Sequence, residues 1–259
     1  MIHSIQKQFI VIFLLSVVVM DAQFALPTFQ AAQKPYNYVL NLDGSNSNNR
    51  QRVHLSNSAA LRPDAFTIQL WVNPDVVETA NLVFRVKTYS ILMSSSAFGG
   101  FVRGSGAPSP AWQGDWSSDI TPPSTNVWYH IVLTFASSVT KLYVNGNNVA
   151  TTSTSGYTTN QTNQYVGIGD KAQTQDDEPF DGQIDEFAFW NEALTASEIT
   201  ALYNSGNGLN AYVNSTDYTS SSNLVSYLQM QSNVNSRTGN NHGTFEGSGT
   251  GDYINTSLE

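Results

Sequence analysis

None of the 259 residues is cysteine. That excludes disulfide staples, thiolate metal ligands and a thiol nucleophile, so stability has to come from a packed core, with at most a metal in support. Charge is scarce too: Asp, Glu, Lys and Arg make up 12% of the chain, about half the usual quarter. Asn, Ser, Thr and Gly fill the polar positions instead. Acids outnumber bases 20 to 11, a net charge of −9. A field of that sign repels nucleic-acid phosphates and anionic lipid heads, which leaves cations, neutral glycans and extracellular or cell-surface proteins as partners.

Long apolar runs are missing as well. The run Phe9–Met20 covers 12 residues, short of the ~20 that a membrane-spanning helix needs. Lys7 precedes it, and the small residues Ala22 and Ala25 follow. This is the anatomy of a secretory signal over residues 1–22, with 23–35 as a linker and an extracellular destination. Once the signal is removed, nothing is left to insert in a membrane.

Several reaction classes lack their motifs. The four histidines, His3, His54, His130 and His242, have no zinc-site spacing. There is no Gly-x-Ser-x-Gly elbow. "GSGTG" at Gly247–Gly251 has neither the Lys nor the following helix of a phosphate loop.

What is present is a core. Hydrophobic residues make up 40% and aromatics 12%, enough for one large domain. The apolar residues recur in short alternating runs divided by Asn, Gly, Ser and Pro, which is an all-β pattern. "YNYVLNL", "RVHL", "FTIQLWVN", "NLVFRV", "YSILM", "WYHIVLTFA", "KLYVNG", "NQYVGIG" and "QIDEFAFW" read as strands. In "FTIQLWVN", Phe66, Ile68, Leu70 and Val72 share one face; Thr67, Gln69, Trp71 and Asn73 share the other, which reads as wet. Asn145-Gly146 supplies the positive φ values of a tight hairpin. One helix is predicted in "LTASEITALYNSG": Thr195 caps, Glu198 completes a capping box, and Gly206 ends it.

"FTIQLWVNP", "WYHIVLTFA", "KLYVNGNNV", "YVGIGD" and "FDGQIDEFAFWNEALTASEITALYNSG" are similar, in order and spacing, to the laminin-G-like, concanavalin A-like jelly-roll modules. The resemblance implies a β-sandwich with one short helix over residues 36–212. It also implies a non-catalytic carbohydrate-binding or adhesion role. Related jelly-roll glucanases carry Glu-x-Asp-x-Glu on one strand, whose outer acids act as nucleophile and general acid. The matching frame here is Gln183, Asp185 and Phe187. Both outer acids are missing.

The resemblance further implies a structural calcium held by Asp185 with Asp43 and the carbonyls around Gly44 of "NLDGS", since calcium takes six to eight hard oxygens. The alternative is that Asp185 caps a turn or accepts from backbone amides. Glu186, alternating outward, reads as a solvated charge. The loop acids Asp176, Asp177 and Glu178 lack the rhythm of an EF-hand.

The best ligand candidates are aromatic. "GSGAPSPAWQGDWSSD" places Trp112 and Trp116 in a Pro- and Gly-rich loop with Asp115 and Asp119 beside them. Flat sugar C–H faces stack on such rings while acids take the hydroxyls; the alternative is that the rings fold back over the core.

The tail, residues 213–259, carries pieces resembling the opening strand of such a module, "LVSYL" and "SRTGNNHGTF". Three readings stay open: the tail completes its own sandwich, it serves a neighbouring copy and so builds a homo-oligomer or filament, or it is a truncated second module.

Overall fold

The computed structural model describes residues 38–45, 50–105, 111–117, 122–171, 178–247 and, for the backbone alone, 252–255. The expected signal and linker lie outside the described residues, as do Asp119, Asp176 and Asp177.

In chain order the strands begin with β1 (Tyr38–Asp43), β2 (Arg52–Leu55), β3 (Phe66–Pro74), β4 (Ala80–Arg85) and β5 (Tyr89–Met93). They continue with β6 (Phe98–Arg103), β7 (Trp112–Trp116), β8 (Tyr129–Ala136), β9 (Val139–Val144) and β10 (Asn147–Ser153). Then come β11 (Val166–Ile168), β12 (Asp181–Trp190) and helix α1 (Ala196–Tyr203). The tail adds β13 (Leu224–Leu228), β14 (Gly243–Glu246) and β15 (Asp252–Asn255).

All named pairings are antiparallel and form two sheets. The first runs β10-β9-β8-β3-β12-β1-β15, with β13 also on β12; the second runs β14-β2-β11-β4-β5-β6-β7. This is the β-sandwich that the resemblance implied. Alternation builds its core: Phe66, Ile68, Leu70 and Val72 of β3 and Tyr129, Ile131, Leu133 and Phe135 of β8 all enter the space between the sheets. Each large apolar side chain buried there contributes about 1.5–3 kcal/mol. The β9–β10 hairpin turns at Asn145 (φ 50°) and Gly146 (φ 77°), as its dipeptide predicts.

The outer face of the first sheet differs from its sequence reading. Thr67, Gln69, Trp71 and Asn73 are buried rather than wet. A second apolar cluster roofs that sheet, drawing Ile199 and Leu202 from α1, Ala211 and Tyr218 from the segment after it, and Val132, Tyr143 and Trp190 from the strands. Tyr203, at the end of α1, stacks on Trp71 at 5.9 Å. Thr67 donates its hydroxyl to the Glu192 carbonyl and accepts from the Leu194 amide. The helix also stops earlier than expected, because Asn204 (φ 48°) and Ser205 (φ 54°) turn left-handed ahead of Gly206.

The tail divides between the sheets. β13 lies along the second half of β12, β15 along β1, and β14 along β2. Each pairing covers backbone groups of a strand within the same chain.

Candidate functional site

The acid-rich strand β12 is settled by register. Asp43 faces Asp181, not Asp185. Asp185 lies four residues further along, about 13 Å at the usual rise per strand residue, and pairs with Trp71 of β3. Asp43 with Gly44 and Asp185 therefore cannot share one ion, and the expected calcium does not fit that ligand set. Among the described residues no three Asp, Glu, His or Cys side chains come together as a metal-holding group.

Glu186 is not solvated either. Only 2% exposed, it sits at φ 51° where β12 slips its register against β3 between Asp185 and Ala188. Its carboxylate accepts from the Tyr227 hydroxyl. Such an extra residue reverses the side-chain alternation downstream. Phe187, which unbroken alternation would align with Gln183 and Asp185, consequently enters the core. Nearby, His130 Nε2 lies 3.1 Å from Gln69 Oε1, and complete burial pushes its imidazole down to about 3. This part of the sheet is roofed interior.

The aromatic stretch behaves otherwise. Trp112 and Trp116 lie on β7, the edge strand of the second sheet, rather than in a loop. Both are half-buried. Cross-strand register sets Gly99 opposite Trp116, Phe101 opposite Gly114 and Arg103 opposite Trp112. Two glycines let these rings lie down. A Cβ on Gly99 would come within 2.8 Å of the Trp116 ring. Gly114 holds φ 142°, and a Cβ there would meet the Gly100 carbonyl at 1.9 Å. Trp116 meets Phe101 edge-on at 5.6 Å, and the Arg103 guanidinium lies 5.6 Å from the centre of the Trp112 ring, a cation–π contact.

The strip is anchored from behind. Gln113, on the opposite face of β7, is buried, and its Nε2 donates to the Ser138 carbonyl, the Thr140 hydroxyl and the Thr152 carbonyl at 2.8, 3.1 and 2.9 Å. The Tyr157 hydroxyl receives the Gly104 amide and lies within hydrogen-bond distance of the Val102 and Ala111 carbonyls. A platform tied to the other sheet in this way needs little ordering when a ligand arrives.

Of the residues grouped with the tryptophans, Asp115 is exposed and accepts from the Trp116 amide at 2.8 Å. It pairs with Gly100, whose missing Cβ points at Leu133 and Leu142, so it leaves the strand away from the two rings. Phe101 and Arg103 take its place beside them. The sequence signal for both is the apolar run "FGGFVR", which the strand reading passed over because two glycines interrupt it.

A family model described as the concanavalin A-like lectin/glucanases superfamily matches residues 46–200. The chain belongs to this superfamily. Among solved structures, a protein of Bacteroides ovatus described as a candidate carbohydrate binding protein superposes with a TM-score of 0.60 at 16% identity, covering 81% of this chain and 58% of that one. The heptameric SAP-like pentraxin of Limulus polyphemus superposes with a TM-score of 0.53 at 14% identity, covering 83% of this chain and 97% of that one. This chain thus spans little more than half of the Bacteroides protein. No curated protein matches the sequence.

Proposed function

We propose that the chain is an exported, non-catalytic carbohydrate-binding module that holds its glycan on the outer face of β6 and β7. The observation that carries this reading is the half-buried pair Trp112 and Trp116, laid over glycine with Phe101 and Arg103 beside them. Flat, partly open rings suit the C–H faces of pyranoses, and a guanidinium can donate to ring hydroxyls. The Bacteroides protein's description points the same way. The non-catalytic part rests on the sequence frame Gln183, Asp185 and Phe187, which lacks both outer acids of the glucanase strand motif, and on the burial of Glu186 and Phe187 at the bulge in β12. Export rests on the leader-like first 22 residues.

A glycan array probed with the mature chain tests the proposal, followed by titration of the best binder. Trp112→Ala and Trp116→Ala should each weaken binding roughly 2- to 12-fold, the equivalent of about 0.5–1.5 kcal/mol per aromatic contact. Circular dichroism should show both variants folded. Undiminished binding in a folded double variant would move the site elsewhere.

A further inference from the structure

A second concavity lies beside β13, away from the aromatic strip. It measures about 430 Å3 and is lined by Tyr212, Gln229, Gln231, Asn233, Asn235 and Arg237, among others. That volume falls within the roughly 300–1,000 Å3 of small-molecule sites. The stretch "QMQSNVN" explains its chemistry. Gln229, Gln231, Asn233 and Asn235 occur at every second position, while Met230 is buried and Val234 packs against the core. Left-handed residues at Met230 (φ 53°) and Ser232 (φ 61°) turn the stretch so that all four amides line the concavity.

Arg237 gives this pocket its charge, and with Arg103, which lies over Trp112, it is one of two arginines whose guanidinium has no acid or carbonyl partner among the described residues. The chain has six arginines. Arg50 pairs with Asp170, Arg52 with Glu246, Arg62 donates to Thr162 and Asn163, and Arg85 donates to Leu61, Asn57 and Thr162. The guanidinium of Arg237 makes no hydrogen bond or ion pair among the described residues. It lies instead 5.9 Å from the centre of the Tyr212 ring, and Tyr212 is 47% exposed. None of the lining residues is acidic. The chain's net negative charge acts weakly here, because a Debye length of about 8 Å at physiological salt screens distant acids.

We infer that this pocket is a second binding site, for a saccharide unit that carries a carboxylate. The planar fork of Arg237 matches a carboxylate through two parallel hydrogen bonds. Tyr212 offers the sugar a flat face. The amide oxygens of Gln229 and Gln231 accept no hydrogen bond among the described residues and can take ring hydroxyls. One guanidinium without a second cation suits a singly charged group better than a doubly charged phosphate. The inference rests on the carbohydrate-binding reading for its ligand class, but not on the aromatic strip.

The test uses a galacturonic acid trimer and its methyl ester, which keeps the rings and loses the charge. Calorimetry on the mature chain should show the acid binding at least about tenfold tighter than the ester. Arg237→Ala should erase that preference, Tyr212→Ala should weaken both ligands, and neither exposed substitution should shift the melting temperature. The Trp112→Ala/Trp116→Ala double variant should keep the preference. Equal affinities for acid and ester in the wild type overturn the inference. So does a preference that survives Arg237→Ala but disappears in Arg103→Ala, which would place the acid on the strip. Neutral-glycan binding lost only in the tryptophan variant reports on the strip separately, so either reading can fail alone.

Discussion

Asp181 shows how a single carboxylate registers its surroundings. Burial, followed by the charges of Asp75, Asp43 and Glu78, raises its pKa above the ordinary value, and Gly44 packs directly over it. The native state therefore holds this proton more tightly than the unfolded chain does. The resulting stability is present below the unfolded value of 3.8 and is lost as pH rises through the folded value, leaving a penalty at neutral pH. Asp181→Asn keeps the shape and removes the charge. In chelator at pH 7 it should raise the melting temperature by about 2 °C, a modest figure because partly exposed charges are screened. The gain should vanish near pH 3. A melting temperature that falls instead, and only with calcium present, would mean that these acids do hold the ion.

At the scale of the element, α1 is short and depends on its ends. Its eight residues are too few for an isolated helix to persist in water. Thr195 accepts from the Glu198 amide while Glu198 reaches back to the Thr195 amide. The other Glu198 oxygen accepts from the Ser220 hydroxyl at 2.6 Å, tying the helix to the segment that follows. Thr195→Ala should cost about 1 kcal/mol, or roughly 2–4 °C in melting temperature for a chain of this size. Since α1 roofs the first sheet and not β7, glycan binding should be unchanged. A loss of binding at equal stability would show that the roof, and not the strip, contacts ligand.

Across the whole molecule, the tail determines whether β1, β2 and the second half of β12 keep a pairing partner. β13 covers half of β12, and β14 and β15 cover β2 and β1. Open strand edges invite association with other chains. Removing residues 224–259 should therefore make the domain aggregate or fail to fold, read by size-exclusion chromatography and thermal melting. An intact, monomeric truncation product would make the tail dispensable. A concentration-dependent ladder from residues 23–259 would instead favour exchange of tail strands between copies.

Much of this was legible in the residues themselves. Alternation in "FTIQLWVN" and "WYHIVLTFA", the Asn145-Gly146 turn and the Thr195–Glu198 box are local codes, set by side-chain period and backbone φ, and each folds as it reads. What adjoins a residue from a distant part of the chain is not written locally. The wet face of β3 became interior because a remote helix lies over it. Asp43 met Asp181 because strand register is set by the whole sheet, and one bulged residue at Glu186 turned Phe187 into the core. β6 and β7 were obscured by glycines, which interrupt the strand pattern when read alone but make room for Trp116 and the Gly100 carbonyl once the strands are paired. Tertiary structure alone decided which aromatics stay partly open, because burial depends on what packs above a residue and not on the residue.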